Sequence, residues 1–363
     1  MKKKILIVFG TRPEAIKMVP IINELKNYTD VFESKVCVTA QHRELLDQVL
    51  YFFKVVPDFD LNLMQKNQTL HELTSRIILS VTQVLEDFKP DLILVHGDTT
   101  TAMASALAAY YKQIDIAHIE AGLRSFDLHS PWPEEGNRKI ITQLAKYHFT
   151  PTQFTYDNLI RENINKNNIF IAGNTIIDVM NKILNEDEMF LSDIVTKQIF
   201  ITLHRREKSH DTLNNILTAL ENISKIYTNV DINIFMHNSI NLPSNHHIWI
   251  NDNVHIMYSL DYEKYLNMLR KTYFILTDSG GIQEEASYLG IPVLLARDIT
   301  DRQEVEGVNM KIIGTDKTTL EREIKTLLTD DRQYENLCKK SSIYGNGFSS
   351  KKILNFLYRV MEV

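Results

Sequence analysis

The length, composition and charge of the chain restrict the class of protein. It has 363 residues, 44% hydrophobic and 24% charged, which is typical of a folded globular protein and excludes a disordered chain, a fibre and a coiled-coil rod. The net charge of −6 disfavours sequence-independent nucleic-acid binding, and the two cysteines disfavour a disulfide scaffold or a structural zinc site. No apolar run reaches the roughly 18 residues of a membrane span, so we expect a cytoplasmic protein. At about 150 residues per domain, this length corresponds to two domains.

Short apolar segments alternate with amphipathic helical patterns in the first half of the chain. Strands are predicted at residues 4–9, 35–39, 92–96, 115–119, 147–149 and 168–171. Helices are predicted at residues 14–26, 42–53, 70–88, 100–111 and 134–145. Because nearly continuous apolar strands alternate with helices, the pattern predicts a parallel sheet with helices on both faces.

The second half repeats this alternation. Strands are predicted at residues 198–203, 231–236, 254–258, 273–277, 292–296 and 311–313, and helices at residues 211–227, 262–271, 282–289 and 318–328. The predicted fold class is therefore α/β, with two doubly wound parallel-sheet (Rossmann-like) domains and an interdomain cleft. A polar stretch at 181–197 places the boundary near residue 170, which gives domains of 1–170 and 171–349. A C-terminal helix at 350–363 is expected to join the first domain.

Polar or glycine-rich segments follow nearly every predicted strand. In a doubly wound sheet, ligands bind beyond the carboxyl ends of the strands, so these segments form the candidate site. They are residues 10–14, 41–44, 97–100, 120–124, 204–207, 237–238, 278–281 and 297–298. The alternative is that these segments are polar only because loops are exposed and because Asp and Glu cap helices.

The first of these segments suits an anionic ligand. Gly10 and Pro13 form a tight turn into a helix, and Arg12 and Lys17 then lie near the helix N-terminus, where anions bind. The alternative is a capped helix with a surface arginine. Neither a GxGxxG motif nor a P-loop is present, which disfavours nicotinamide dinucleotide binding and P-loop chemistry.

The segment before the helix at 282–289 is more specific for a nucleotide. Ser279, Gly280 and Gly281 offer backbone N–H groups and a hydroxyl to a diphosphate. Glu285, one helical turn further, can accept two hydroxyls of a ribose. The basic run at 204–206 supplies positive charge from a neighbouring strand end. The alternative is a glycine-rich connection without a ligand.

Three carboxylates are the candidates for acid–base chemistry. Asp98 and Glu120 follow neighbouring predicted strands, and Glu134 follows a loop that contains two prolines and a tryptophan. Carboxylates that share a pocket can have different pKa values, so that one donates and another accepts a proton. The alternative is that each one charges or caps a helix N-terminus. His237 can contact a ligand, although a single histidine at a strand end is more often structural.

Taken together, these motifs resemble the family of non-hydrolysing UDP-N-acetylglucosamine 2-epimerases. The matching segments are FGTRPEAIKM at 9–18, TAQHRE at 39–44, VHGDTTT at 95–101, HIEAGLR at 118–124, PWPEE at 131–135, HRRE at 204–207 and TDSGGIQEEA at 277–286. The resemblance covers almost the whole chain. It departs at Lys208, where the family usually has asparagine, and at Gln303, where it usually has proline.

The resemblance implies a GT-B-like fold, a UDP-sugar substrate in the interdomain cleft, a homodimer, and no metal or nicotinamide cofactor. It implies acid–base roles at Asp98, Glu120 and Glu134, with His204 also in the catalytic set. It implies UDP-sugar contacts from Arg12, Lys17, His204, Ser279, Gly280, Gly281, Glu285 and Arg302. An activating UDP-N-acetylglucosamine site would use Gln41, Arg206 and His237.

The activity that the resemblance implies is reversible C2 epimerisation of UDP-N-acetylglucosamine to UDP-N-acetylmannosamine. UDP is eliminated to leave a 2-acetamidoglucal and then added back, and the product supplies cell-surface polysaccharide synthesis. The alternatives are a hydrolysing epimerase that releases N-acetylmannosamine and UDP, a GT-B glycosyltransferase, and a non-catalytic nucleotide-sugar sensor. The presence of all three carboxylates disfavours the sensor.

Overall fold

The chain forms two compact units. The computed structural model describes residues 2–40, 43–65, 68–184, 197–203, 210–236, 251–258, 260 and 262–361. One unit comprises Met1–Lys182 together with Ile343–Val363, and the other comprises Ile183–Ser342. The chain therefore passes from the first unit to the second and back again.

The first unit is built on a seven-stranded parallel sheet. Its elements are β1 (Lys3–Phe9), α1 (Arg12–Leu25), β2 (Phe32–Val38), α2 (Arg43–Phe52), β3 (Phe59–Asp60), α3 (Leu70–Phe88), β4 (Leu92–His96), α4 (Thr100–Tyr111), β5 (Asp115–Ile119), α5 (Glu134–Leu144), β6 (Tyr147–Thr150), α6 (Gln153–Arg161), β7 (Ile169–Ile171) and α7 (Thr175–Ile183). Short 3-10 helices lie at Lys26–Tyr28 and Lys166–Asn168.

The strand order of this sheet places its loops. The order is β3-β2-β1-β4-β5-β6-β7, so the connections run in opposite directions on the two sides of the β1/β4 pair. All of β4 and the last five residues of β1 are buried, because their apolar side chains are covered on both faces. A topological switch point of this kind leaves a crevice at the carboxyl ends of the two strands. The loops after β1, β4 and β5 lie at this edge.

The second unit has the same topology in a six-stranded parallel sheet, in the order β10-β9-β8-β11-β12-β13. Its elements are β8 (Lys197–Leu203), α8 (His210–Ile226), β9 (Val230–Met236), β10 (Val254–Met257), α9 (Tyr262–Arg270), β11 (Phe274–Thr277), α10 (Gly281–Leu289), β12 (Val293–Leu295), a 3-10 helix at Gln303–Val305, β13 (Met310–Ile312), α11 (Lys317–Thr329) and α12 (Asp331–Leu337). The fold prediction of two doubly wound parallel-sheet domains is thus confirmed.

The last helix, α13 (Ser349–Val360), belongs to the first unit. The Phe356 ring lies with its centroid 5.8 Å from that of Tyr147 and 5.4 Å from that of Phe149, so it covers one end of the sheet. Asp178 of α7 accepts hydrogen bonds from the backbone N–H groups of Ser349 (3.0 Å) and Ser350 (2.8 Å) and so caps α13. The observed division falls after residue 182, beyond the expected 170, because α7 contributes this cap.

Four elements have no counterpart among the predictions. The strand β3 has only two residues, and α12 only seven. The helix α6 begins at a capping box in which threonine replaces the usual Glu or Gln, and α7 (Thr175–Ile183) follows the predicted boundary near residue 170. In the described ranges, no helix combines the length and the apolar character needed to cross a membrane.

Candidate active site

The loop after β1 is fixed by a buried glutamate that the sequence analysis did not single out. Glu14 accepts hydrogen bonds from the N–H groups of Gly10 (3.0 Å) and Thr11 (2.8 Å) through Oε2. Thr99 Oγ1, from the loop after β4, donates to Glu14 Oε1 at 2.6 Å. Burial raises the pKa of Glu14 to about 7, and the hydrogen bonds from these threonines and from the backbone oppose that shift. Glu14 therefore ties together the two loops at the switch point.

Gly10 is required by the close packing beneath this turn. A Cβ at Gly10 would lie 2.2 Å from Thr39 Oγ1 and 2.4 Å from Thr101 Oγ1. These two hydroxyls are hydrogen-bonded to each other at 2.9 Å. Any larger residue would have to displace them, so the sequence uses the only residue without a Cβ.

Asp98 is held by the helix that follows the next strand. Arg138 of α5 donates to Asp98 Oδ2 from Nε at 2.9 Å and from Nη2 at 2.5 Å. Arg138 also donates from Nη1 to Glu135 Oε2 at 3.1 Å. Asn137 Nδ2 donates to the Asp98 backbone carbonyl at 2.8 Å. The Asp98 side chain retains 23% exposure while that of Arg138 retains 5%, so a buried guanidinium presents a partly accessible carboxylate.

Glu120 directly follows β5, in a conformation that is uncommon for a residue with a side chain. Its φ of +63° lies in the left-handed region. Lys17 Nζ forms a short ion pair with Glu120 Oε2, and Asn174 Nδ2 donates to the same oxygen at 2.9 Å. His96 Nε2 lies 3.8 Å from it. Lys17, expected at the ligand, thus neutralises a candidate catalytic carboxylate.

The loops that carry Asp98 and Glu120 are joined through backbone groups. Gly97 N donates to Ile119 O at 2.9 Å. His118 Nε2 donates to Gly97 O at 2.7 Å, and burial lowers the pKa of His118 to about 3, so the ring is neutral and its Nε2 carries the proton. The two carboxylates therefore lie at neighbouring strand ends on a rigid frame.

The other predicted residues of the first unit lie at helix starts. Glu134 is the first residue of α5 and Arg12 the first of α1, and both are half-buried. The partially positive end of α5 favours a negative charge at Glu134. Arg12 carries its positive charge beside the switch point between β1 and β4.

In the second unit, Ser279, Gly280 and Gly281 connect β11 to α10. Ser279 N donates to Thr277 Oγ1 at 2.9 Å, and Gln283 Nε2 donates to the Ser279 carbonyl at 3.1 Å, so the turn is held from both sides. A Cβ at Gly281 would have no heavy atom within 4 Å. Gly281 thus begins α10 with open space on its Cβ side, and the N-terminus of a helix is a place that suits an anion.

Arg302 supports this turn from within the unit. A Cβ at Gly280 would lie 2.6 Å from Arg302 Nη1. Arg302 donates from Nε to Glu284 Oε1 at 2.8 Å and from Nη1 to Asp301 Oδ1 at 2.7 Å. All three charged side chains are buried. Arg302 was predicted to contact the ligand, and the structure places its charge between these two carboxylates.

Two tyrosines of α9 orient Glu285, the predicted ribose ligand. Tyr262 Oη donates to Glu285 Oε1 at 3.0 Å, and Tyr265 Oη donates to Glu285 Oε2 at 2.5 Å. The two rings are stacked with centroids 5.8 Å apart. Each carboxylate oxygen can accept more than one hydrogen bond, so this arrangement is compatible with ribose hydroxyls as further donors.

Gln41, His204, Arg206 and His237 lie outside the residues that the structure describes. The residues that sequence reasoning missed are Glu14, Arg138, Asn174 and the two tyrosines of α9. Only Glu14 had a local sequence indication, the Thr-x-x-Glu capping box that begins at Thr11.

Comparison with known proteins extends over nearly the whole chain. The sequence profile of the UDP-N-acetylglucosamine 2-epimerase family matches residues 23–358. A UDP-N-acetylglucosamine 2-epimerase from Campylobacter jejuni is 45% identical, with 99% of this chain and 98% of that protein aligned.

Solved structures agree with this. The UDP-GlcNAc 2-epimerase of Neisseria meningitidis, solved bound to UDP-GlcNAc, superposes with a TM-score of 0.90 at 41% identity over 98% of this chain and 100% of that one. The Methanocaldococcus jannaschii enzyme, solved with UDP-GlcNAc and UDP, gives a TM-score of 0.85 at 32% identity over 98% of this chain and 99% of that one. The two parallel-sheet units are accordingly GT-B-like, and the chain belongs to the UDP-N-acetylglucosamine 2-epimerase family.

Proposed function

We propose that this chain interconverts UDP-N-acetylglucosamine and UDP-N-acetylmannosamine by inverting C2, without hydrolysis. The observation that carries the proposal is the pair of carboxylates at neighbouring strand ends, Asp98 held by Arg138 and Glu120 held by Lys17 and Asn174. Family membership supplies the substrate class. A non-catalytic nucleotide-sugar sensor would not need carboxylates fixed in this way.

The proposed reaction is an elimination followed by an addition. The C2–H bond is weakly acidic because no carbonyl is adjacent, so proton removal is coupled to departure of UDP. The C2 proton passes to a carboxylate, the C1–O bond breaks with its electron pair on the UDP oxygen, and C1=C2 forms. UDP then adds back at C1 while a proton arrives at C2 from the opposite face. Asp98, Glu120 and Glu134 are the proposed acid–base groups.

Departure of UDP requires stabilisation of a diphosphate. We assign that role to the N–H groups and hydroxyl of the Ser279–Gly281 turn and to Arg12, with His204 as a further cation, and the ribose to Glu285. Lys17 and Arg302 contribute by fixing Glu120 and the turn, respectively. No step in this scheme calls for a metal or a nicotinamide.

We infer that the enzyme acts as a homodimer in the cytoplasm and supplies N-acetylmannosamine units for cell-surface polysaccharides. Activation by a second UDP-N-acetylglucosamine, through Gln41, Arg206 and His237, is a further proposal.

The test is incubation with UDP-N-acetylglucosamine in heavy water, without an acceptor, followed by NMR. The proposal requires both UDP-sugar epimers and deuterium at C2. Release of free N-acetylmannosamine and UDP would instead identify a hydrolysing epimerase. Absence of turnover would favour the two remaining alternatives, a glycosyltransferase or a nucleotide-sugar sensor. Asp98→Asn should abolish epimerisation, whereas Asp115→Asn, at an exposed ion pair with Lys146, should not. Near-normal turnover by Asp98→Asn would contradict the assignment.

A further inference from the structure

Asn174 contacts a candidate catalytic carboxylate although it cannot itself exchange a proton in the reaction. It lies immediately before α7 and is 2% exposed. Its Nδ2 donates to Glu120 Oε2 at 2.9 Å, and its Oδ1 accepts from Ile176 N at 3.0 Å. Its backbone N–H donates to Tyr344 O at 2.7 Å, and Ser349 Oγ donates to its carbonyl at 3.3 Å.

These partners determine which way the amide of Asn174 points. The backbone N–H of Ile176 can only donate, so it requires the amide oxygen. An ionised carboxylate can only accept, so Glu120 requires the amide NH2 group. Both requirements are met by one orientation, and the reversed amide would lose both hydrogen bonds. The cap of α7 therefore aims the NH2 group at Glu120.

The segment that returns from the second unit fixes the backbone of Asn174. Tyr344 and Ser349 are each 1% exposed. The preceding Gly173 has φ +93°, and a Cβ there would lie 2.9 Å from Tyr344 O and 2.6 Å from Ser349 Oγ. This contact is possible only because residue 173 is glycine. The position of Asn174 thus depends on residues 343–349 as well as on α7.

Glu120 needs such support because its own conformation is unfavourable. A left-handed φ costs a residue with a side chain about 1 kcal/mol or more. Its side chain is 7% exposed, and Lys17 and Asn174 both contact Oε2. A Cβ at Gly97 would lie 3.7 Å from Oε1, so the second oxygen is on the side of the Asp98 loop. Fixing Oε2 consequently fixes the direction in which Oε1 lies.

We propose that Asn174 is a positioning residue for Glu120: its amide, oriented by the α7 cap and held by residues 343–349, fixes the carboxylate relative to C2 of the sugar. This inference rests on the proposed function. A displacement of about 1 Å at a reacting group can lower a rate about 100-fold. Loss of the amide should therefore lower kcat more than it changes KM.

The test uses two variants that preserve the helix cap. Serine and aspartate are both good N-cap residues. Asn174→Ser replaces the whole carboxamide with a hydroxyl that can still accept from Ile176 N, whereas Asn174→Asp keeps the shape of the side chain and replaces its NH2 group with a carboxylate oxygen. The matched controls are the same substitutions at Asn165, which is exposed and caps a 3-10 helix through Oδ1 at 3.0 Å from Asn167 N. Circular dichroism and thermal unfolding establish that each variant is folded.

We expect Asn174→Ser to lower kcat by about 10- to 100-fold with KM for UDP-N-acetylglucosamine within about 3-fold, and the Asn165 variants to behave as wild type. Asn174→Asp should lower kcat further and move the acidic limb of its pH profile to higher pH, because two facing carboxylates favour protonation. Lys17 from α1 and His96 from β4 face the same oxygen and are unchanged in every variant. Wild-type kcat and pH profile in Asn174→Ser would overturn the proposal.

A second measurement separates this inference from the proposed function. In a crystal structure of Asn174→Ser, the Glu120 carboxylate should rotate away from its wild-type position. An unmoved Glu120 would overturn the positioning role whether or not the wild-type protein epimerises. Absence of epimerisation by the wild type, with Glu120 displaced in the variant, would contradict the proposed function and leave the positioning role supported.

Discussion

Arg302→Ala should destabilise the second unit strongly. The Arg302 side chain is 7% exposed, and its partners Glu284 and Asp301 are 0% and 4% exposed. Removing one member of a buried ion pair costs about 3–5 kcal/mol, because the remaining charge is left without compensation in a region that water cannot reach. Since one guanidinium serves two carboxylates here, we expect the free energy of unfolding to fall by at least about 3 kcal/mol.

Urea unfolding monitored by hydrogen exchange can assign this loss to the correct unit. Exchange in α10 should accelerate while exchange in β4 stays unchanged. The matched control is Arg322→Ala. The Arg322 side chain is 64% exposed, and its partner Glu323 would retain the ion pair with Lys311 Nζ at 2.6 Å, so the free energy of unfolding should change by less than about 1 kcal/mol. Adding Glu284→Gln to Arg302→Ala should recover part of the loss. A decrease for Arg302→Ala as small as that of the control would refute the reasoning.

Three further changes have defined outcomes. Gly10→Ala would place a Cβ 2.2 and 2.4 Å from two threonine hydroxyls and should lower the free energy of unfolding by about 1–3 kcal/mol. The control is Gly136→Ala, whose Cβ would have no heavy atom within 4 Å and should leave the free energy of unfolding unchanged. Equal melting temperatures for the two variants would contradict this reasoning. Burial lowers the pKa of His148 from 6.5 to about 4, so its neutral form stabilises the fold above pH 6.5 and that contribution is lost as pH falls. Between pH 7 and 5, the free energy of unfolding of His148→Gln should therefore fall by about 2 kcal/mol less than that of the wild type, as measured by urea titration. Parallel curves of unfolding free energy against pH would disprove this role of His148. Tyr265→Phe removes a donor to Glu285 and should raise KM for UDP-N-acetylglucosamine about 3- to 10-fold, equivalent to ~1 kcal/mol; an unchanged KM would show that this contact does not orient the ribose ligand.

The sheet and its strand-end loops were predictable because buried strands appear in the sequence as runs of apolar residues. The apolar runs at β1 and β4 are bounded by polar residues, and the structure places strands there with nearly the same limits. Adjacency of consecutive strands then brings Asp98 and Glu120 to neighbouring positions. The two-residue strand β3 carried no comparable pattern, because its stability comes from tertiary packing. The helix α7 has apolar residues at helical spacing, Ile176, Val179, Met180 and Ile183, but it stands beside the polar stretch at 181–197 that was interpreted as a domain boundary.

The pairing of charges was not predictable, because it depends on which side chains the fold brings together. Lys17 and Arg302 both looked like cations for a diphosphate, and local sequence could not reveal that Glu120 and Glu284 lie beside them. The contact between Asn174 and Glu120 joins residues 54 positions apart. Arg138 is three residues from Glu135 on one helix, yet its bond to Asp98 spans 40 positions.

The path of the chain also constrains how the protein is made. Because α13 belongs to the first unit, a ribosome must synthesise all of Ile183–Ser342 before Phe356 can cover Tyr147 and Phe149. The nascent first unit therefore exposes an aromatic surface throughout that interval, and it is there that a chaperone would be needed most. The second unit is one continuous stretch of chain and can complete its core before the first one does.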